Sequence, residues 1–235
     1  MDYFRNIVVV AALAGAIAGL GMTVAQQLTT VPLILKAEVY EQGATPAHDH
    51  GDMATAQAGA HEHGDDGWSP ADGAERTFFS ALANIVTGIG FALLLVAVSE
   101  LFGGLRDWRQ GLFWGLAGFT VFTLAPGLGL PPELPAMPAA ELGARQLWWL
   151  GTAISTALAL GLLVYGRSVI ATLAAIVLLV MPHLVGAPQP LSYESPIPEG
   201  LHHSFVVAVV LTTLLFWVLL GGLAGLFRGR FVHAS

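Results

Sequence analysis

Long apolar runs separated by short polar segments set the rhythm of this chain. A bilayer-crossing helix needs about 17–25 mostly apolar residues. Six stretches meet or approach that length: 7–35, 78–102, 111–127, 147–165, 168–183 and 203–227. The third and fifth are the shortest. Only the turn at Gly166 and Arg167 separates the fourth from the fifth, which predicts a tight helical hairpin. Pro126, Pro131, Pro132 and Pro182 fall near span ends, where they punctuate helices. Residues 43–76 break the pattern: they have no apolar periodicity and carry many His and Asp residues. The first half of that loop reads as flexible without a ligand.

Composition turns these runs into membrane spans. Hydrophobic residues make up 55% of the 235 and charged residues 11%, whereas a soluble domain carries about a quarter charged residues. The predicted architecture is therefore an all-α integral membrane protein, a bundle of about six transmembrane helices forming one polytopic domain over residues 1–235. Cys is absent, which excludes disulfides, iron–sulfur clusters and thiolate zinc sites. A net charge of −7 offers no footprint for nucleic acid.

Charge then orients the bundle. With the N-terminus cytoplasmic, Arg5, Arg106, Arg109, Arg167, Arg228 and Arg230 lie inside, and Lys36, Arg76 and Arg145 lie outside. That asymmetry follows the positive-inside rule and puts both termini in the cytoplasm. The acids are lopsided in the other direction: only Asp2, Glu100 and Asp107 fall on or near the inner side. Thr23, Val24 and Ala25 form a small-x-small triplet of the kind a signal peptidase cuts after. The apolar run resumes at 31–35, so the first span reads as retained; cleavage would leave five spans in the same orientation.

Small residues recur at helical spacing: Ala11, Gly15 and Gly19; Gly111 and Gly115; Gly221, Gly225 and Gly229. Such stripes read as packing seams, because close backbone approach is what holds helices together in lipid. No acid, Lys or Arg lies at the middle of a span, so a buried proton-carrying carboxylate is not expected. The polar groups inside the spans are neutral, including Thr152, Ser155, Thr156, Thr212 and Thr213, and they read mostly as interhelical hydrogen-bond partners. Gln26, Gln27 and Asn84 are the candidates for a transport path.

The histidines give the chemistry. His48, His50, His61 and His63 lie in the predicted outer loop, His183 ends the fifth span, and His202 and His203 open the sixth. Imidazole and carboxylate together suit divalent first-row metals. The loop supplies His48, Asp49, His50, Asp52, His61, Glu62 and His63 as metal ligands; in an extended segment each His-x-His pair points one way. Its selectivity is poor in principle, since a flexible nitrogen and oxygen site follows the Irving–Williams order. A solvated spacer and a pH sensor are the other readings of the loop. His183 reads either as a metal ligand or as a group satisfying polar atoms beside Pro182. His202 and His203, about 100° apart on a helix, cannot both face the bundle.

The strings QQLTTVPLILKAEVYE, ADGAERTFFSALANIVTGIGFALLL, PHLVGAPQP and FVVAVVLTTLLFWVLLGGLAGLF resemble the CbtA family of predicted cobalt transporter subunits, in order and over nearly the whole chain. The resemblance implies a multi-pass protein of the bacterial inner membrane, linked to cobalamin metabolism and working beside a small single-span CbtB-type subunit. It implies cobalt(II) as the transported ion, with nickel or zinc as alternatives, and no permanently bound cofactor. It also implies five spans where hydropathy counts six. On the matching strings it draws attention to Glu38, Tyr40 and Glu41, to Asn84, and to His183 with Gln189.

The functional expectation is a cobalt-uptake subunit. The outer His and acid groups would pass metal to a mouth formed by Glu38, Glu41, His183 and His202 or His203. The alternative is a membrane metal-binding or sensing protein that presents metal to a separate permease. An enzyme is not expected, for lack of a nucleophile–base pair or a buried metal triad, and no nucleotide-binding motif is present.

Overall fold

The apolar runs fold as helices, and no strand occurs among the described residues. The structure is a computed structural model that describes residues 2–44, 70–71 and 73–231. Four helices are long and apolar enough to cross a membrane by length and composition: α1 (Asp2–Leu28), α3 (Ala74–Leu101), α6 (Leu142–Tyr165) and α8 (Glu199–Phe231). Two apolar stretches are shorter or interrupted. The first is α4 (Trp108–Phe119), which runs through a π-helical turn (Thr120–Leu124) into α5 (Ala125–Gly127). The second is α7 (Val169–Val185).

The first apolar run differs from its predicted course over 7–35. It breaks at Thr29, and α2 (Thr30–Ala44) starts afresh. Two local causes coincide. Pro32 has no N–H to give the Leu28 carbonyl, and the Thr29 hydroxyl turns back onto the Ala25 carbonyl at 2.7 Å. The π turn has a similar origin, since Pro126 removes a donor just past it and the Ala125 N–H reaches five residues back to Thr120 O.

Contacts between helix ends show that α1 runs in one direction and α3, α6 and α8 in the other. Tyr3 meets Glu100, Asn6 Nδ2 donates to Phe231 O at 3.2 Å, and the rings of Phe102 and Tyr165 stack at 4.5 Å. The start of α1 and the ends of α3, α6 and α8 therefore share one end of the bundle. Arg5, Arg106, Arg109, Arg167, Arg228 and Arg230 all belong to segments at that end, called here the arginine end.

The predicted small-residue stripes are seams of backbone contact. A Cβ on Gly15 would lie 2.5 Å from Ile89 Cα, and one on Gly19 would lie 2.5 Å from Asn84 O, so α1 and α3 touch main chain to main chain. Gly111 and Gly115 of α4 meet Gly221 and Gly225 of α8 in the same way. Around these crossings lies the main core, with Val96, Leu105, Trp217 and Leu220 at its centre. A second core of Ala37, Leu134, Ile197 and Phe205 joins α2, the 128–141 loop and the start of α8 at the opposite end. The α6–α7 hairpin formed as expected. It packs on the π turn and α5 away from the arginine end, and Tyr165 stacks on Phe102 at that end.

Several neutral polar groups serve their own helix instead of a neighbour. Thr152 Oγ1 donates to Trp148 O at 2.8 Å, and Ser155 Oγ to Thr152 O at 3.0 Å. A hydroxyl three or four residues downstream of a helix carbonyl reaches it without help from another helix.

Candidate functional site

Where α1 leaves the apolar core, its polar residues face α3 and α8. Thr23 and Gln26 lie three apart and so share a face, and Asn84 of α3 sits against both. Asn84 Nδ2 donates to Thr23 Oγ1 at 3.0 Å and to Gln26 Oε1 at 2.6 Å. Next to this cluster is a cavity of about 130 Å³ bordered by Met22, Gln26, Thr30, Ile34, Phe205 and Thr212. Thr212 is buried and its hydroxyl lies 3.1 Å from that of Thr29. One turn toward the opposite end, Gln27 Nε2 donates to Thr77 Oγ1 at 3.1 Å. A ladder of amide and hydroxyl groups thus lines the crossing of α1 with α3 and α8. Thr23 reads from sequence only as part of a cleavage triplet, and Thr30 carries no expectation; their spacing from Gln26, three and four residues, was the available signal for the cluster.

Amide chemistry defines what this cluster offers an ion. As arranged, the Asn84 amide nitrogen covers oxygen lone pairs on Thr23 and Gln26. Turning the Asn84 amide about its terminal bond replaces that donor with the Asn84 carbonyl oxygen. The same three side chains then present only oxygen to the space between them.

The mouth expected at the opposite end is arranged differently. Arg76 Nη2 donates to Glu38 Oε1 at 2.7 Å, so the α2 carboxylate is held in an ion pair with α3. Glu41 lies on the exposed side of α2. His202 is partly buried, its Nε2 3.1 Å from Pro132 O, while His203 is exposed; of the adjacent pair, one faces the protein. His183 is exposed at the end of α7, its ring 6.0 Å from that of Trp148. The carbonyl of Pro182 is taken by Trp148 Nε1 at 3.2 Å, not by His183. Gln189 is exposed in the loop after α7, where it donates to Ala187 O and accepts from Tyr193. Among the described residues no three His, Asp or Glu side chains come together as a metal site. His48, Asp49, His50, Asp52, His61, Glu62 and His63 lie outside the described residues.

At the arginine end, sequence reasoning missed a pairing. Arg228 of α8 forks onto Glu100 of α3, with Nε to Oε1 at 2.5 Å and Nη2 to Oε2 at 2.9 Å. Tyr3 of α1 donates to Glu100 Oε2 at 2.5 Å, and Arg228 Nη1 donates to Leu105 O. Gly104, at φ +70°, passes so close to the guanidinium that a Cβ there would collide with it. Opposite charges near the same end of different spans were the legible hint. This clamp ties α1, α3 and α8 together below the polar ladder.

No curated protein and no solved structure matches the chain significantly. The family model described as Probable cobalt transporter subunit (CbtA) matches residues 4–229, nearly the whole length, and the chain belongs to that family.

Proposed function

We propose that this chain is the membrane subunit through which cobalt(II) moves inward, along the polar ladder of Thr23, Gln26 and Asn84. The arrangement that carries this reading is the Asn84 amide laid across Thr23 and Gln26 beside a small cavity, within an otherwise apolar bundle. Neutral oxygens hold a divalent ion weakly, and weak sites let an ion leave as well as arrive. The Glu100–Arg228 clamp closes the far side in the state described. In this reading the arginine end is cytoplasmic, by the positive-inside rule, and α4 with its π turn and α7 complete six alternating crossings. A membrane potential then drives a divalent cation inward with roughly twice 2.3 kcal/mol per 100 mV.

The His-rich segment 47–66 supplies the outer capture step, and His183, His202, His203, Glu38, Glu41 and Gln189 border the route from it. A CbtB-type single-span subunit completes the transporter in the inner membrane of a bacterium. The family description as a subunit supports a partner of some kind.

The test is cobalt influx into vesicles holding the chain, alone and with the single-span subunit, under an imposed inside-negative potential. Asn84→Leu and Gln26→Leu should each lower influx by roughly tenfold or more, about 1.4 kcal/mol of barrier. Wild-type influx in both variants would move the path elsewhere. Absence of potential-driven influx in both preparations, with the folded chain present, would favour a metal-presenting role.

A further inference from the structure

The α6–α7 hairpin leans on the π turn and α5 away from the arginine end, and between that contact and the Phe102–Tyr165 stack lies an apolar slot of about 540 Å³. Its walls are one face each of α3 over residues 91–102, α4 and the π turn over 110–122, and α6 over 157–165. At 1.5 Å per residue these faces run roughly 12–18 Å along the helices. One leaflet of hydrocarbon is about 15 Å deep, half of the ~30 Å core. The slot is thus one leaflet deep. Phe91, Phe122 and Trp217, with ring centroids 5.0–5.6 Å apart, close its inner limit at mid-bundle. Phe102 stacked on Tyr165 braces the other limit, at the arginine end.

At that second limit the lining turns polar and the neighbouring charges are basic. Gln110 lines the slot; Arg106 and Arg109 precede it on the same segment, and Arg167 follows Tyr165 by two residues. All three arginines are exposed. The nearby acids are engaged elsewhere, Asp107 accepting from the Gln110 N–H at 2.9 Å and Glu100 from Arg228. An acyl chain is slender enough to lie along the slot between its helical walls. We propose that the slot binds one anionic phospholipid, an acyl chain between α4 and α6 and its phosphate among Arg106, Arg109 and Arg167. Basic pockets between transmembrane helices recognise acidic headgroups through this same combination of charge and apolar depth.

The full chain in a neutral detergent, titrated with dioleoyl phosphatidylglycerol or dioleoyl phosphatidylcholine and read by native mass spectrometry, tests this. One phosphatidylglycerol should be retained at least tenfold more strongly than phosphatidylcholine. Arg106→Gln, Arg109→Gln and Arg167→Gln should each remove roughly fivefold of that preference. Gly161→Leu should weaken both lipids, because residue 161 lines the slot and a Cβ there meets nothing within 4 Å, so the fold tolerates it. Equal retention of the two lipids by the wild type would overturn the proposal. So would a Gly161→Leu chain that keeps its phosphatidylglycerol but loses a second copy or the single-span subunit; the slot would then be a protein seam.

Discussion

Arg228 and Glu100, 128 residues apart, share a two-pronged ion pair in which the guanidinium is almost wholly buried. Two hydrogen bonds to one carboxylate fix direction as well as distance, and Tyr3 adds a third from α1. The pair therefore sets how three helices meet at one end, whatever its net contribution to stability.

Breaking it from one side should be costly. Glu100→Gln leaves the buried Arg228 guanidinium without its counter-charge, a loss of about 3–5 kcal/mol. Arg228→Met strands a Glu100 carboxylate that is 22% exposed and should cost less. The double variant Glu100→Leu with Arg228→Met replaces both by apolar groups and should recover most of that loss. Thermal unfolding of the purified chain in detergent measures all three. A double variant as unstable as the singles would mean that the helices need the hydrogen-bonding geometry, not charge balance.

The glycine seams predict a sharp contrast between positions. Gly15→Leu drives a side chain into the α3 backbone at Ile89, where no rotamer relieves the clash. Overpacking of this kind costs about 1–3 kcal/mol or more. Gly90→Leu, on the same α3 but with nothing within 4 Å of its Cβ, should leave the fold intact. Recovery of monodisperse protein after detergent extraction separates the two. Equal losses would show that the α1–α3 crossing lies elsewhere in the membrane.

Hydropathy and spacing made the helices, the α6–α7 hairpin and the small-residue seams legible, because those features repeat along a single segment. The Thr29 break was legible only in part: Pro32 marks it, but Thr29's own hydroxyl bond completes it. The Arg228–Glu100 clamp was not, since neither segment specifies which spans touch. Asn84 and Gln26 could be picked out as polar groups in apolar runs, yet their meeting required the α1–α3 register that Gly15, Gly19 and Gly88 impose. The proposed mouth illustrates the reverse case: Glu38 reads as an available carboxylate, but the fold sets Arg76 against it.

Glu141 gives a pH-dependent test of one helix start. Its carboxylate accepts from the N–H groups of Gly143 at 2.8 Å and Ala144 at 2.6 Å, capping α6. Those two backbone bonds hold its carboxyl below the ordinary range. A lowered value means that the cap is fully formed above the ordinary carboxylate range and is lost as pH falls through the lowered value. Hydrogen exchange at Gly143 and Ala144 should therefore be faster in Glu141→Ala than in wild type at neutral pH. The difference should shrink in acid; a gap that persists there would mean that the side chain orders α6 by some other contact.

The proposed capture role of the His-rich segment 47–66 predicts a separable effect on uptake. If residues 47–66 only raise the local metal concentration, deleting them changes how often cobalt reaches the bundle and leaves the crossing step untouched. The cobalt concentration for half-maximal influx should then rise severalfold, with maximal influx unchanged. Protons compete with metal for imidazole and carboxylate, so the advantage of the intact chain over the deletion should narrow as the medium is acidified. Influx curves of both chains at low and saturating cobalt, at neutral and mildly acidic pH, measure this. Loss of influx at every cobalt concentration would make the loop an obligatory part of the path, with the Asn84 cluster downstream of a site the loop itself supplies.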